Sequence, residues 1–224
     1  MCGRYLVITE DEIIEMRAIL EELNQRFTEP DDLLFESAGG KNDEMVPSLL
    51  SPVLVEDDET WRLQPMKWGF THWDGKGSVI NARSESVREK PFFRDSFMHR
   101  RCIIPSGGFY EWKKGSETSN ELTLFDVASN CGFSPGKYWI RRKDTSLFLM
   151  AGIFRKSQDQ KTDEFVILTM PSNSQIAPLH DRMPLFLERS QLLPWMEDPG
   201  SIQALLANQK SSVPFEISMA GKVS

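Results

Sequence analysis

RCIIPSGGFYEWKK, residues 101–114, reads as two strand pieces around a turn at Ser106–Gly108. Working outward from it, the chain keeps the same short-strand texture. SPVLV (51–55) and TWRLQPMKWGF (60–70) are strands joined by an acidic EDDE turn, and SVIN (78–81) is a short strand ending on Asn81. LTLFDVA (122–128), KYWIRR (137–142), SLFLMAGIF (146–154) and EFVILTM (164–170) follow, with SNCGFSPGK (129–137) as a turn or inserted loop. Helical spacing occurs at the margins. Thr9 and Glu12 form a T-x-x-E capping box ahead of Ile13, Met16, Leu20, Leu23 and Phe27, which predicts an amphipathic helix over 10–27. Pro91 opens a second helix over 91–100, and shorter helical patterns cover 190–196 and 200–208 before a tail. Residues 28–44 read as an acidic loop. The pattern predicts one α+β domain over 1–224, with a mostly antiparallel, barrel-like β core and peripheral helices.

Composition narrows the function classes. Hydrophobic residues make up 40% of the 224 and charged residues 26%, an ordinary globular balance. No run of about 18 apolar residues exists, so no membrane span is predicted. Glu10, Asp11 and Glu12 interrupt the chain before a secretory h-region could form. Cys2, Cys102 and Cys131 are odd in number and widely spaced, which fits a reducing cytoplasm better than a disulfide framework. Without a CxxC pair, and with only His72, His99 and His180, no metal site is expected, and no cofactor is called for. The net charge of −7 conceals an asymmetry: residues 10–59 hold 16 acids and 3 bases, so the remainder carries +6. Arg83, Arg88, Lys90, Arg94, Arg100 and Arg101 cluster there, leaving room for a local anionic ligand.

Cys2 follows the initiator methionine. If that methionine is removed, the residue offers both a thiol and a free α-amine. The amine can add to an aldehyde as an imine, and the thiol can then close a five-membered thiazolidine, a ring closure favoured by effective molarities of roughly 10⁵ M or more. The competing reading is a small buried hydrophobe. Three other clusters bear on the choice. In VINARSE (79–85), Asn81, Arg83 and Glu85 alternate just past a strand and can project toward one pocket. In GGFYEW (107–112), Glu111 sits in an aromatic run, where burial would raise its pKa toward working pH. In LHDRMP (179–184), His180, of the residue type most used for proton transfer, is flanked by Asp181 and Arg182 and followed by a proline that stiffens the turn. His72 and His99 read as structural.

Together, and in this order, MCGRY, VINARSE, GFYEW and HDRMP closely resemble the signatures of the SOS-response-associated peptidase (SRAP) family, over residues 2 to about 187. The resemblance implies an abasic-site crosslinking protein with (auto)peptidase and lyase-like activity. Its partner is single-stranded DNA containing abasic sites, and it acts as a cytoplasmic monomer that joins the nucleoid at damage. It further implies that Cys2 is the crosslinking residue, that Asn81 orients its amine, that Glu111 transfers protons, and that His180 handles the sugar oxygen. Arg4 and Arg83 would hold phosphates, and Trp68 would stack on a base or else belong to the core. KNDEMVPSLLSPV (41–53) departs from the family's usual NVAP-like loop. Two other readings stand beside this one. One is a thiol peptidase with Cys2 as nucleophile and His180 as base; the other is a non-covalent reader of modified DNA.

Overall fold

The computed structural model describes residues 2–6, 8, 10–24, 44–57, 60–113, 135–156, 162–203, 205 and 213–220. The elements run β1 (Arg4–Leu6), α1 (Glu10–Asn24), β2 (Glu44–Met45), β3 (Leu50–Asp57), β4 (Thr60–Trp68), β5 (Phe70–Thr71), β6 (Ser78–Val79) and β7 (Asn81–Arg83). They continue with α2 (Pro91–His99), β8 (Arg101–Ser106), β9 (Gly108–Lys113), β10 (Gly136–Arg142), β11 (Phe148–Arg155), β12 (Glu164–Pro171), β13 (Arg182–Pro184), β14 (Phe186–Leu187), α3 (Leu192–Glu197) and β15 (Phe215–Met219). Residues 122–128, the capping-box Thr9 and Cys131 lie outside the described residues, as does the start of the predicted 129–137 loop.

The two halves of RCIIPSGGFYEWKK do not pair with each other. β8 pairs with β11 and β3, whereas β9 pairs with β1 and β10 in a separate five-stranded sheet of order β15-β10-β9-β1-β2. The turn at Gly107 is therefore a corner where the chain changes sheets. Gly108 makes the corner possible. Its φ is +144°, and a Cβ there would stand 2.5 Å from the Ile140 carbonyl oxygen.

In the larger sheet the order β12-β4-β3-β8-β11 returns to β12, because β11 also pairs with β12. The strands thus form a ring, which agrees with the expected β-rich α+β architecture. Pairing is mostly antiparallel; the exceptions are β12 with β4 and β12 with β7, both parallel. β8 is buried at every position and β12 at all but its last, so the period-2 signal of a half-exposed strand is absent from both. Only a strand with one wet face, such as β4, alternates. One apolar cluster joins Met16, Ile19 and Leu20 of α1 to the ring through residues such as Trp61, Met66, Ile104 and Met150.

Charged side chains secure the periphery. Glu15 of α1 accepts hydrogen bonds from the Thr145 and Ser146 hydroxyls, and Glu22 pairs with Arg189. Arg101, predicted as part of the basic block, is buried. It donates to the carbonyls of Trp195 (2.7 Å), Phe97 and Met98 (both 2.9 Å), and also to Met196, closing the ends of α2 and α3. Arg100 is paired with Asp95. The exposed basic strip is consequently shorter than the sequence suggested. It comprises Arg83, Arg88, Lys90 and Arg94, none of which forms an ion pair among the described residues. No helix among the described residues is long and apolar enough to cross a membrane.

Candidate functional site

β1 is too short to hold itself, so its position comes from its neighbours. Arg4, Tyr5 and Leu6 stand opposite Tyr110, Phe109 and Gly108 of β9. The Tyr5 hydroxyl donates to Ser51 Oγ at 2.6 Å, and its ring lies 5.0 Å from that of Trp68. Trp68 in turn donates from Nε1 to the Ile80 carbonyl at 3.0 Å and stacks on Phe165. This indole, 0% exposed, therefore packs between the strand that follows Cys2 and the residue that precedes Asn81. The base-stacking role expected for Trp68 does not fit a ring covered on both faces. Its place is in the core, where it sets the spacing of two site residues.

Cys2 and Asn81 meet directly: Asn81 Nδ2 donates to the Cys2 carbonyl at 2.8 Å. The Cys2 thiol is fully buried and donates weakly to the Arg4 carbonyl at 3.5 Å. Burial, reinforced by the negative charge of Glu111, pushes this thiol well above its ordinary range, so it is held protonated. Glu111 is 2% exposed, and burial also raises its carboxyl, partly offset by the positive charge of the chain terminus and of His180. Cys2, Asn81, Glu111 and His180, drawn from four distant stretches of sequence, are thus electrostatically or hydrogen-bond coupled. Asn81 Oδ1 is buried without a hydrogen-bond partner. An acceptor desolvated in this way calls for a donor from a ligand or from the chain end.

The outlying predicted residues differ from one another. Arg4 is half-exposed, paired with Glu44 at 2.9 Å, with its guanidinium 5.6 Å above the Trp112 ring. Arg83 is exposed at the end of β7, opposite Thr169 of β12. Two features were not singled out from sequence. Arg182 is buried and gripped by both oxygens of Glu85, one bond measuring 2.9 Å, and it also donates to the Thr169 carbonyl at 2.6 Å. Trp73 is 82% exposed in the loop between β5 and β6, beside His72. An aromatic among Gly75, Gly77 and Asp74, outside any apolar periodicity, was the available signal for it. Among the described residues, no group of three or more His, Cys, Asp or Glu side chains could hold a metal ion.

Known proteins share this arrangement of chain. The chain is 30% identical over 219 residues to "Abasic site processing protein YoqW" of Bacillus subtilis, covering 92% of this chain and 86% of that protein. It is 28% identical over 199 residues to "Abasic site processing protein YedK" of Escherichia coli, covering 88% and 79% respectively. A crystal structure of a protein from Bacteroides thetaiotaomicron superposes with a TM-score of 0.71 at 21% identity, covering 97% of this chain and 91% of the other, which speaks to the fold. The family described as SOS response associated peptidase (SRAP) matches residues 1–220, and this chain belongs to it.

Proposed function

We propose that this protein captures abasic sites in single-stranded DNA covalently, through the α-amine and thiol of Cys2 after Met1 is removed. The observation that carries the proposal is the Asn81 amide. Its Nδ2 fixes the Cys2 carbonyl while its Oδ1 stays buried and unpartnered, an acceptor that a freed Cys2 amine or a sugar hydroxyl would satisfy. The names of the relatives, as abasic site processing proteins, support the same substrate class.

The burial of the thiol orders the chemistry. A protonated thiol is a poor nucleophile, so the amine attacks first. The amine nitrogen bonds to the aldehyde carbon of the ring-opened sugar, and loss of water leaves an imine. Glu111, whose carboxyl burial pushes toward its protonated form, serves the water loss as a proton donor. The sulfur then bonds to the imine carbon, its proton passes to the nitrogen, and the thiazolidine closes. His180, coupled to Glu111, serves the sugar oxygen during ring opening and during reversal. The most exposed tryptophan among the described residues is Trp73, where stacking on a neighbouring base would contribute about 1–3 kcal/mol irrespective of sequence. The basic strip from Arg83 to Arg94 supplies the phosphate contacts.

A thiol-peptidase reading would require a thiolate, and a buried, proton-retaining Cys2 opposes it. The two readings part on the amine. Processed protein incubated with an oligonucleotide bearing one abasic site should give a heat-stable band on a denaturing gel. Protein acetylated at the Cys2 amine, with its thiol free, should give none. A stable adduct from the acetylated form would overturn the mechanism.

A further inference from the structure

The three histidines differ in what faces Nδ1. His72 Nδ1 lies 2.8 Å from Asp74 Oδ1, and His99 Nδ1 lies 3.2 Å from the Asp95 carbonyl oxygen. Both partners are acceptors, so each of those rings carries its proton on Nδ1 when neutral. His180 is the reverse. The backbone N–H of Arg182 donates to its Nδ1 at 2.9 Å, and a nitrogen that accepts cannot also hold a proton. Asp181 Oδ1 is also 2.9 Å from that nitrogen and competes for it, but this exposed carboxylate can turn to water, whereas the backbone N–H of Arg182 has no such freedom. The neutral imidazole therefore carries its proton on Nε2.

The Arg182 amide is held by the pairing of Arg182 with Pro171 across β13 and β12 and, in addition, by the side chain of the same residue. Its guanidinium is clamped by Glu85 through both carboxylate oxygens and reaches the carbonyl and hydroxyl of Thr169 on β12. Arg182 in turn holds the Glu85 carboxyl down at about 2, so the clamp stays charged throughout the neutral range. A fork held at both prongs restricts the backbone from which it extends.

We propose that Glu85 is a positioning residue: by gripping Arg182 it keeps that residue's amide on Nδ1 of His180 and so presents the imidazole as an Nε2–H donor. This rests on the reading of the Cys2 site above. In that setting His180 meets the sugar oxygen as a hydrogen-bond donor and acid, and Nε2 cannot accept the thiol proton as a peptidase base would need it to. The charged groups around the ring are Asp181 and Arg182 beside it, Glu111 on β9 and Glu85 across the clamp.

Nitrogen-15 spectra of the full chain at pH about 8, where imidazoles are neutral, test this without any variant. His72 and His99 should show proton-bearing Nδ1, and His180 should show bare Nδ1 and proton-bearing Nε2, with H180N removing the third set to assign it. In E85Q the His180 signals should shift toward a tautomer mixture, and adduct reversal should slow about tenfold, part of what a well-placed acid supplies. A solely structural Glu85 would lower the unfolding midpoint and leave the tautomer alone. A proton on His180 Nδ1 in the wild type, or an E85Q spectrum identical to wild type at His180, overturns the proposal. The spectra decide this even where no adduct forms, a result that would instead remove the reading of Cys2.

Discussion

Glu111 and Glu164 are buried to nearly the same degree, at 2% and 3% exposure, yet they are shifted in opposite directions. Burial raises both. At Glu164 this is overcome by Lys67 Nζ at 2.7 Å, by the Thr71 hydroxyl and amide at 2.5 and 3.0 Å, and by Arg155 at 2.8 Å, which together hold the carboxyl at about 2. At Glu111 the opposing charges do not suffice, and the carboxyl stays raised. Burial alone therefore does not make a catalytic carboxylate. A carboxylate saturated with donors is fixed as an anion and serves architecture; here it ties β12 to β4, β5 and β11. One left with a deficit of positive charge is pushed toward its neutral form, as groups that move protons are.

The contrast breaks most readily at Glu164. E164Q places an amide among donors and leaves Lys67 and Arg155 uncompensated, so unfolding stability should fall by about 3 kcal/mol, read from urea curves with an unchanged slope. A loss under about 1 kcal/mol would show the cluster to be ornamental. The pH profile carries the same sign. Because the folded pKa of Glu164 is depressed, its contribution is complete above about 4.5 and is lost as pH falls toward about 2. E164Q should flatten that acid limb. E111Q should do the opposite on both axes. Its stability at neutral pH should stay within about 1 kcal/mol of wild type, since no firmly held anion is removed. Adduct formation should slow by about 100-fold, the ordinary worth of a proton-transfer group, timed on denaturing gels. Because the folded pKa of Glu111 is raised, the wild type gains stability as pH falls through that raised value toward 4.5, so any neutral-pH advantage of E111Q shrinks over that range. An E111Q protein that forms adduct at the wild-type rate would return Glu111 to the architectural class.

Sequence pattern reached some of this and not the rest, for identifiable reasons. RCIIPSGGFYEWKK showed its strands and its turn because glycine chemistry is local. That the turn is a corner between sheets was invisible, since partner choice lies in β1, β3, β10 and β11. Phe215–Met219, read as a tail, forms β15 because β10 offers it an edge, a long-range cause. Motif order pointed to Asn81, Glu111 and His180, which the fold brings near Cys2, whereas the aromatic run around Glu111 fitted an outward-facing strand position as well as the burial it has. The sequence leaves Trp68 between two roles, and its basic block misleads, for one reason. A side chain's type shows what it can contact, but only packing shows what already occupies it. Trp68 is taken by Tyr5, Phe165 and Ile80, and Arg101 by four carbonyls.

The same distinction between occupied and available groups separates two arginines, and it yields the smallest expected effect. Arg182 is buried with both terminal guanidinium nitrogens engaged by Glu85 and Thr169, whereas Arg83 is exposed and forms no ion pair among the described residues, two positions beyond Asn81. A phosphate can recruit Arg83 without first breaking anything. R83A should weaken binding to abasic single strands less than tenfold and reduce the magnitude of the salt slope by somewhat under one phosphate contact, without altering unfolding stability. Titrations at several salt concentrations measure the slope directly. If the slope is unchanged, the strand does not pass the end of β7, and the phosphate path must run instead past Arg4 and Trp112.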